Sequence, residues 1–215
     1  PYGVIALIVI FAPELRRMLE QLGTNKITKY FGIYKDIEVK TKEDIYKIVI
    51  ASTELTKTKT GGLIVVERDI NISDIIESGV KIDSDVSPQL IVNLFTPNTP
   101  LHDGAVIISN NKIAAAACIL PLADDKEIAK EIGTRHRAGI GISKESDAIA
   151  IIVSEETGKI SVAIDGNLIA DVKEEALKNI LIKYMINKRF AVERNRRVKK
   201  LKIKKENKQK QNEEH

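Results

Sequence analysis

The chain is poor in cysteine, histidine and aromatic residues. Its 215 residues include one cysteine, three histidines and no tryptophan, and aromatic residues make up 4%. A single cysteine excludes an intramolecular disulfide and fits a reducing compartment. No Cys/His cluster suggests a structural zinc site. The scarcity of aromatic rings argues against stacking platforms for single-stranded nucleic acid.

Long hydrophobic runs are also lacking. The continuous apolar run at residues 4–12 is shorter than the roughly 20 residues that span a bilayer. It is either the end of a transmembrane helix or a buried strand or helix. A helical pattern follows at 13–23, and Arg16 and Arg17 are typical of a cytoplasmic membrane boundary. We therefore predict that residues 1–23 form the end of a membrane-proximal apolar segment and a connecting helix.

The positive charge is concentrated at one end of the chain. The net charge is +4, but residues 194–215 alone contain ten Lys/Arg and three Asp/Glu, a net of +7, so the rest of the chain carries −3. The predicted domain at 24–192 is thus mildly acidic, and residues 193–215 are predicted to be a flexible basic tail. This distribution argues against reading the whole protein as a nucleic-acid binder.

Length and patterning suit an α/β protein, as one domain with extra segments or as two small domains. Apolar runs bounded by turn residues predict five strands, at 63–67, 105–109, 112–120, 148–153 and 159–164. Helices are predicted at 41–57, 73–78, 89–95, 124–132 and 173–190. Asn110-Asn111 is a good hairpin turn, Ser87-Pro88 is a helix cap, and Cys118 is predicted to be buried.

Two polar islands interrupt the apolar sequence and contain both internal histidines. Residues 101–105 (Leu-His-Asp-Gly-Ala) place an imidazole and a carboxylate beside a glycine that lets a ligand approach the backbone. Residues 133–137 (Gly-Thr-Arg-His-Arg) place two guanidinium groups near an imidazole and a hydroxyl. Arginine forks suit phosphate oxygens, and Asp and His commonly bind metals or accept protons. Together the islands indicate a polyphosphate substrate and a metal ion.

The second island is predicted at a helix N-terminus, with Thr134 near the cap. Cations there oppose the helix dipole, and a bound phosphate would remove that conflict. A third polar cluster, residues 154–157 (Ser-Glu-Glu-Thr), follows an apolar strand. Each cluster alone also fits an ordinary turn or a solvated helix start. All three adjoin predicted strands, however, so one sheet could present them on one rim.

Several of these stretches resemble the diadenylate cyclase domain family. They are residues 101–108 (LHDGAVII), 116–122 (AACILPL), 133–138 (GTRHRA), 146–148 (SDA) and 153–158 (VSEETG). Residues 6–11 with Pro-Glu-Leu-Arg-Arg at 13–17 are similar to the membrane-anchored branch, in which the catalytic domain follows transmembrane helices. The resemblance covers roughly residues 1–190, and the paired Asp-Gly-Ala and Arg-His-Arg motifs are its most specific part.

The resemblance implies an α/β fold, a single domain with a central mixed twisted β-sheet flanked by helices. It implies a nucleotidyltransferase that condenses two ATP into cyclic di-AMP and releases two pyrophosphates. It also implies a divalent metal, Mn or Mg, and a catalytic domain that faces the cytoplasm at the cell membrane. Each ATP must present its 3′-hydroxyl to the other's α-phosphate, so turnover requires a homodimer.

The resemblance also assigns site residues, motif by motif. Catalysis falls to His102, Asp103, Arg135 and Arg137, with Asp103 helping to deprotonate the ribose 3′-hydroxyl. The expected metal ligands are His102, Asp103 and Glu156. The expected ATP-binding residues are Gly104, Ala105, Leu120, Thr134, Arg135, His136, Arg137, Ala138, Ser154 and Glu156.

One position departs from the family pattern. Many relatives carry a tyrosine that packs against adenine where this chain has Ile119, which offers apolar contact without a ring. Two other functions stay open at this point. One is a non-catalytic adenine-nucleotide sensor with the same pocket, and the other is an RNA- or membrane-surface-binding module that uses the basic tail.

Overall fold

The computed structural model describes residues 34–123 and 133–187, in which helices and strands alternate along the chain. The apolar run at 4–12, the helix predicted at 124–132 and the basic tail lie outside the described residues. The elements are α1 (Tyr34–Lys57), β1 (Gly62–Val66), α2 (Ser73–Glu77), β2 (Val80–Asp85), α3 (Pro88–Leu94), β3 (Ala105–Ser109), β4 (Lys112–Cys118), α4 (Thr134–Glu145), β5 (Ile149–Val153), β6 (Ile160–Ile164), β7 (Asn167–Ile169), α5 (Glu174–Leu181) and a π-helical turn (Ile182–Asn187).

The seven described strands form one mixed sheet in the order β2-β4-β3-β1-β5-β6-β7. Strands β1 and β3 are parallel, and all other neighbours are antiparallel. Strands β1, β3, β5 and β6 are buried at every position. Such continuously apolar strands form when helices cover both faces of a sheet. The predicted α/β single domain with a mixed sheet and flanking helices is confirmed.

Two hydrophobic cores lie on opposite faces of the sheet. In β1, Ile64 and Val66 join the core that contains buried residues of α1, α3 and α5. Their neighbours Leu63 and Val65 join the core that contains buried residues of α4. This alternation is the period of two that side chains follow along a strand. The sheet is therefore the middle of three layers.

The hairpin between β3 and β4 is fastened to α1. Asn110 and Asn111 both have positive φ, at 50° and 63°, which asparagine tolerates better than most residues. The amide of Asn111 donates to the carboxylate of Asp44 at 2.8 Å and to the hydroxyl of Thr41 at 3.2 Å. The carboxylate of Asp44 is thus buried with a partner, which fixes the hairpin against the helix.

Four elements differ from the sequence predictions. Helix α1 begins at Tyr34, whereas the predicted helix begins at residue 41. Strands β2 and β7 were not predicted, and both are edge strands with largely exposed residues. The helix predicted at 173–190 is regular only to Leu181 and continues as the π-helical turn. In the described ranges, no helix combines the length and the apolar composition that crossing a membrane requires.

Candidate active site

The strand register brings one end of each of four neighbouring strands, β4, β3, β1 and β5, to the same end of the sheet. We call this end of the central strands the polar edge. Gly62 at the start of β1 lies opposite Val153 at the end of β5. Ala105 at the start of β3 lies opposite Cys118 at the end of β4. Because β1 and β3 run parallel, both pairs lie at the same edge. The polar residues before β3 and after β5 therefore share this edge, as the sequence indicates.

The loop before β3 orients His102 and exposes Asp103. The imidazole Nδ1 lies 2.6 Å from the carbonyl oxygen of Thr99. Since a carbonyl oxygen accepts hydrogen bonds, Nδ1 is the donor, and the lone pair of the neutral ring is on Nε2. Asp103 is exposed in the turn that follows. This loop therefore offers one imidazole nitrogen and one carboxylate to a ligand.

Gly104 makes the close approach of this loop to β4 possible. Its φ is +104°, a conformation that other residues rarely adopt. A Cβ at Gly104 would lie 2.8 Å from both the carbonyl carbon of Ala117 and the carbonyl oxygen of Cys118. A side chain would thus push the loop away from β4 and move Asp103.

Helix α4 begins at the polar edge, with its cationic residues in the first turn. Gly133 is the N-cap residue, and no side chain caps the exposed N–H groups of this helix. The Nε atoms of Arg135 and Arg137 are buried and have no hydrogen-bond partner. Buried donors without partners are uncommon and costly. An anion at this helix start would meet unpaired N–H groups of the backbone and of two arginines.

Two glycines let α4 lie close to its neighbours. A Cβ at Gly139 would lie 2.9 Å from Cδ1 of Ile152 in β5, and one at Gly141 would lie 2.0 Å from the carbonyl oxygen of Pro121. The N–H of Ala123 donates to the carbonyl oxygen of Arg137 at 3.1 Å. The segment that follows β4 is therefore held against the Arg-His-Arg turn.

Arg135 forms an ion pair across the polar edge. Its Nη1 lies 2.7 Å from Oε2 of Glu155, in the turn after β5. A Cβ at Gly61 would lie 2.6 Å from that Nη1 and 2.8 Å from that Oε2. The start of β1, the turn after β5 and the start of α4 thus meet at this pair.

Burial affects His136, the third residue of the α4 turn. Its ring is half-buried, and desolvation lowers its pKa below the ordinary 6.5, while the nearby carboxylate of Glu156 opposes that shift. His136 is therefore neutral at pH 7. At that pH the turn carries two positive charges, one on each arginine, and a neutral imidazole between them.

The turn after β5 is organised by Ser154. The Ser154 hydroxyl accepts a hydrogen bond from the N–H of Thr157 at 3.2 Å, and its carbonyl oxygen accepts one from Gly158 at 2.9 Å. This arrangement leaves Glu155 and Glu156 exposed at the polar edge. The Ser154 side chain shapes the turn that carries both carboxylates.

Three of the expected ATP-binding residues have buried side chains. Ala105, Leu120 and Ala138 belong to the core on the α4 face of the sheet. Their side chains stabilise the segments that form the polar edge. Contact between these residues and a ligand would come mainly from their backbone.

The expected metal ligands are not gathered in one place. In residues 34–123 and 133–187, no three His, Cys, Asp or Glu side chains form a group that could hold a metal ion. His102 and Asp103 precede β3, whereas Glu156 follows β5. Strand β1 lies between them, so the two strand ends are roughly 10 Å apart, from two inter-strand spacings of about 4.8 Å.

Sequence reasoning assigned no role to Gly61 or Glu155. Glu155 lies in the polar cluster 154–157, but only its neighbour Glu156 matched a family role. Gly61 was recognised only as the residue that opens β1. The fold brings both to Arg135, a contact across 20 and 74 residues of chain that local patterns do not indicate.

The fold and this edge define an α/β domain in which an uncapped helix start with two arginines lies near exposed carboxylates. A family model described as DisA bacterial checkpoint controller nucleotide-binding (DAC) matches residues 49–168. The cyclic di-AMP synthase CdaA of Bacillus subtilis is 49% identical over 180 residues, which are 84% of this chain and 65% of that protein. The diadenylate cyclase of Listeria monocytogenes is 48% identical over 185 residues, which are 86% of this chain and 67% of that protein.

A solved structure agrees with these sequence matches. The crystal structure of a double mutant of DacA from Staphylococcus aureus aligns with a TM-score of 0.65 at 46% identity, covering 67% of this chain and 96% of that one. The chain belongs to the diadenylate cyclase domain family, and the predicted resemblance is confirmed. It spans 65–67% of the length of these two curated relatives.

Proposed function

We propose that the protein is a diadenylate cyclase, which condenses two ATP into cyclic di-AMP and releases two pyrophosphates. The observation that carries this proposal is the polar edge. There the Asp-Gly-Ala start of β3 lies beside the start of β1, and Arg135 at the start of α4 reaches Gly61 just before β1. One motif supplies a carboxylate. The other supplies N–H groups that can donate hydrogen bonds to phosphate oxygens. The named activity of the relatives requires both.

Arg135 and Arg137 bind phosphate oxygens in this proposal. Their buried Nε donors lack partners in the free protein, and the exposed N–H groups of α4 point out of the same turn. A triphosphate supplies acceptors for all of them, and its charge offsets the two guanidinium charges. His136, whose pKa burial lowers in the free protein, adds a hydrogen bond to the same phosphates.

Asp103 acts as the proton acceptor. The 3′-oxygen of one ATP attacks the α-phosphorus of the other, and the bond from that phosphorus to pyrophosphate breaks. The hydroxyl proton passes to the carboxylate of Asp103, which is exposed and ready to receive it. A second, identical step between the same two nucleotides closes the ring.

The donor set of the loop before β3 fits a divalent metal, Mn or Mg. The hydrogen bond to Thr99 leaves Nε2 of His102 as a ligand nitrogen, and the Asp103 carboxylate is the next residue. Such metals commonly take one or two protein ligands and complete their coordination with phosphate oxygens and water. Glu156 is a third expected ligand, from the other side of the edge. When bound, the metal lowers the pKa of the hydroxyl and neutralises phosphate charge.

A homodimer is part of the proposal. One polar edge offers one Asp103 and one Arg-His-Arg turn, and ring closure needs two of each. Two copies that face each other across a two-fold axis supply both sets. Each 3′-hydroxyl then meets the α-phosphate of the other nucleotide. Membrane attachment through the apolar run at 4–12 would hold these domains on the cytoplasmic side, where ATP is available.

The deciding experiment is incubation of the purified chain with ATP and either Mg²⁺ or Mn²⁺, followed by chromatographic separation of the products. We expect cyclic di-AMP and pyrophosphate in a 1:2 ratio, with none formed when the metal is chelated. Binding of ATP without any product would instead favour a nucleotide sensor. A parallel reaction with GTP tests base selection, because Ile119 is 73% exposed and provides no ring to stack on adenine.

A further inference from the structure

The ion pair between Arg135 and Glu155 has no assigned role in the chemistry above. We propose that Glu155 is a positioning residue, which holds the Arg135 guanidinium so that its Nε edge is presented to a nucleotide phosphate. The inference rests on the proposed function for the identity of that anion.

The nitrogen that Glu155 binds is the important detail. In an arginine side chain, Nη1 lies on the side of Cδ, whereas Nε–H and Nη2–H form the fork on the opposite side. Glu155 accepts from Nη1 at 2.7 Å, and Nε has no partner. The carboxylate therefore occupies one side of the guanidinium and leaves the Nε side for a second anion.

The backbone of Gly61 packs against the ion pair between Arg135 and Glu155. A Cβ there would lie 2.6 Å from Nη1 of Arg135 and 3.0 Å from its Cζ. The guanidinium thus rests directly on the backbone before β1. A long arginine side chain has many rotamers, and fixing it before the substrate arrives removes part of the ordering cost of binding.

The position of Glu155 argues for support of Arg135 and against competition with the substrate. Its side chain is 64% exposed, and Arg135 Nη1 is its partner in the described structure. A residue that blocked the phosphate would have to occupy the Nε side, and Glu155 does not. Its removal is therefore expected to weaken phosphate binding.

Three variants distinguish the effect of moving the Arg135 guanidinium from the effect of removing the charge of Glu155. Glu155→Ala removes the acceptor, and Glu155→Gln keeps an acceptor oxygen without the charge. Gly61→Ala leaves both side chains chemically intact but displaces them, since the added methyl meets only their flexible ends and Gly61 lacks a positive φ. Glu54→Gln is the matched control, because Glu54 forms an exposed 2.7 Å ion pair with Lys57 within α1, which covers the face of the sheet opposite α4.

We expect Glu155→Ala and Gly61→Ala each to lower kcat/KM for cyclic di-AMP formation about 10-fold, the scale of a displaced phosphate contact. Glu155→Gln should keep activity within about threefold of wild type, because an amide oxygen still accepts from Nη1. Glu54→Gln should match wild type. Thermal unfolding midpoints should be unchanged in all four variants, which excludes a folding defect as the cause.

The effect of Glu155→Ala should also be measured in a protein that carries Arg135→Ala. If Glu155 acts through Arg135, Glu155→Ala should cause no further loss of kcat/KM once Arg135 is absent. An undiminished loss in that background, or wild-type kcat/KM in Glu155→Ala, would overturn the inference. Tighter nucleotide binding by Glu155→Ala would also overturn it, because that result indicates competition.

A binding measurement keeps this inference separate from the proposed function. Calorimetric titration with α,β-methylene-ATP, which cannot release pyrophosphate, should show affinity about 10-fold weaker for Glu155→Ala than for wild type. Failure of the wild type to form cyclic di-AMP would count against the proposed function alone. Equal affinity of the two proteins for the analogue would count against the role of Glu155 alone.

Discussion

Asp103, the proposed base, lies outside both hydrophobic cores. The residue is exposed, and its position comes from the backbone of Gly104, which alone tolerates the φ of +104° beside β4. Arg135 and Arg137 are different, because their Nε atoms are buried without partners and already cost stability in the free protein. The proposed base on the β3 side is therefore exposed, whereas the proposed phosphate-binding arginines on the α4 side are partly buried.

Asp103→Asn should leave folding intact and nearly abolish product formation. The amide cannot accept the 3′-hydroxyl proton, and a positioned general base contributes about 10²–10⁴ in rate. The rate of cyclic di-AMP formation and the urea unfolding midpoint are the two measurements. Asp69→Asn, an exposed residue just beyond the other end of β1, is the matched control and should behave as wild type. A near-normal rate in Asp103→Asn would contradict its role as base.

Because the pKa of His136 is lowered in the folded protein, we expect the free energy of unfolding to decrease at acidic pH. Its pKa in the folded protein is lowered by burial, so below the ordinary 6.5 the unfolded chain binds more protons than the folded one. Stability should therefore fall as pH drops from about 6.5, and this contribution should be absent above that value. Urea denaturation at pH 5 to 8 should show a smaller acid loss for His136→Asn than for wild type. Parallel curves for the two proteins would exclude this explanation.

Individual site residues differ in how far the sequence could predict them. His102, Asp103 and the Arg-His-Arg turn could be found because rare, chemically distinct side chains interrupt apolar sequence. Gly61 and Glu155 could not, because glycines and exposed glutamates are common and only the register of β1 and β5 brings this pair to Arg135. The role of Cys118 was predictable from its neighbours: the thiol is buried, and desolvation raises its pKa to about 11.

At the scale of elements, α4 contains two interior glycines that disfavour a helix but allow it to pack closely against its neighbours. Interior glycine costs a helix about 1 kcal/mol per residue relative to alanine. Gly139 and Gly141 are nevertheless required, since Cβ atoms there would meet β5 and the carbonyl oxygen of Pro121. Close packing on both sides offsets the weak propensity and fixes where the first turn of α4 lies.

The N-cap of α4 allows a test of the phosphate site. Among the residues that the structure describes, no atom lies within 4 Å of the place where a Cβ would stand on Gly133, and its backbone is extended, so serine and aspartate both suit this position. Either should stabilise the helix by a few tenths of a kcal/mol. Gly133→Asp should also weaken binding of α,β-methylene-ATP, because its charge repels phosphate, whereas Gly133→Ser should not. Equal affinities for the two variants in calorimetry would argue against phosphate at this helix start.

The central elements were predictable and the peripheral ones were not. Strands β1, β3, β5 and β6 are buried throughout and mostly apolar because helices cover both their faces. Strand β2 (Val-Lys-Ile-Asp-Ser-Asp) and the three-residue β7 lie at the sheet edges, where one side needs no neighbour and polar residues are tolerated. Their pairing with β4 and β6 depends on tertiary contacts, which the local sequence does not reveal.

At the scale of the whole molecule, the order of the strands bears on the proposed homodimer. The loop that carries Asp103 precedes β3, and the turn that carries Glu155 follows β5, so the two lie on either side of β1, roughly 10 Å apart by strand spacing. In the proposed reaction, the 3′-hydroxyl of one nucleotide needs an α-phosphate held by another protein copy. We therefore expect two polar edges to face each other.

Mixing wild-type subunits with Asp103→Asn subunits tests this dependence. A mixed dimer has one working base, so it can join two nucleotides once but cannot close the ring. If subunits exchange freely, an equal mixture should form cyclic di-AMP at about a quarter of the wild-type rate, because only that share of dimers holds two intact sites. The mixed dimers should release a linear dinucleotide that pure wild type does not accumulate. The rate and both products can be followed by chromatography after subunit exchange is verified by mass. A rate that falls in strict proportion to the wild-type fraction, with no linear product, would mean that each subunit completes the reaction alone, and the facing-edge dimer would have to be abandoned.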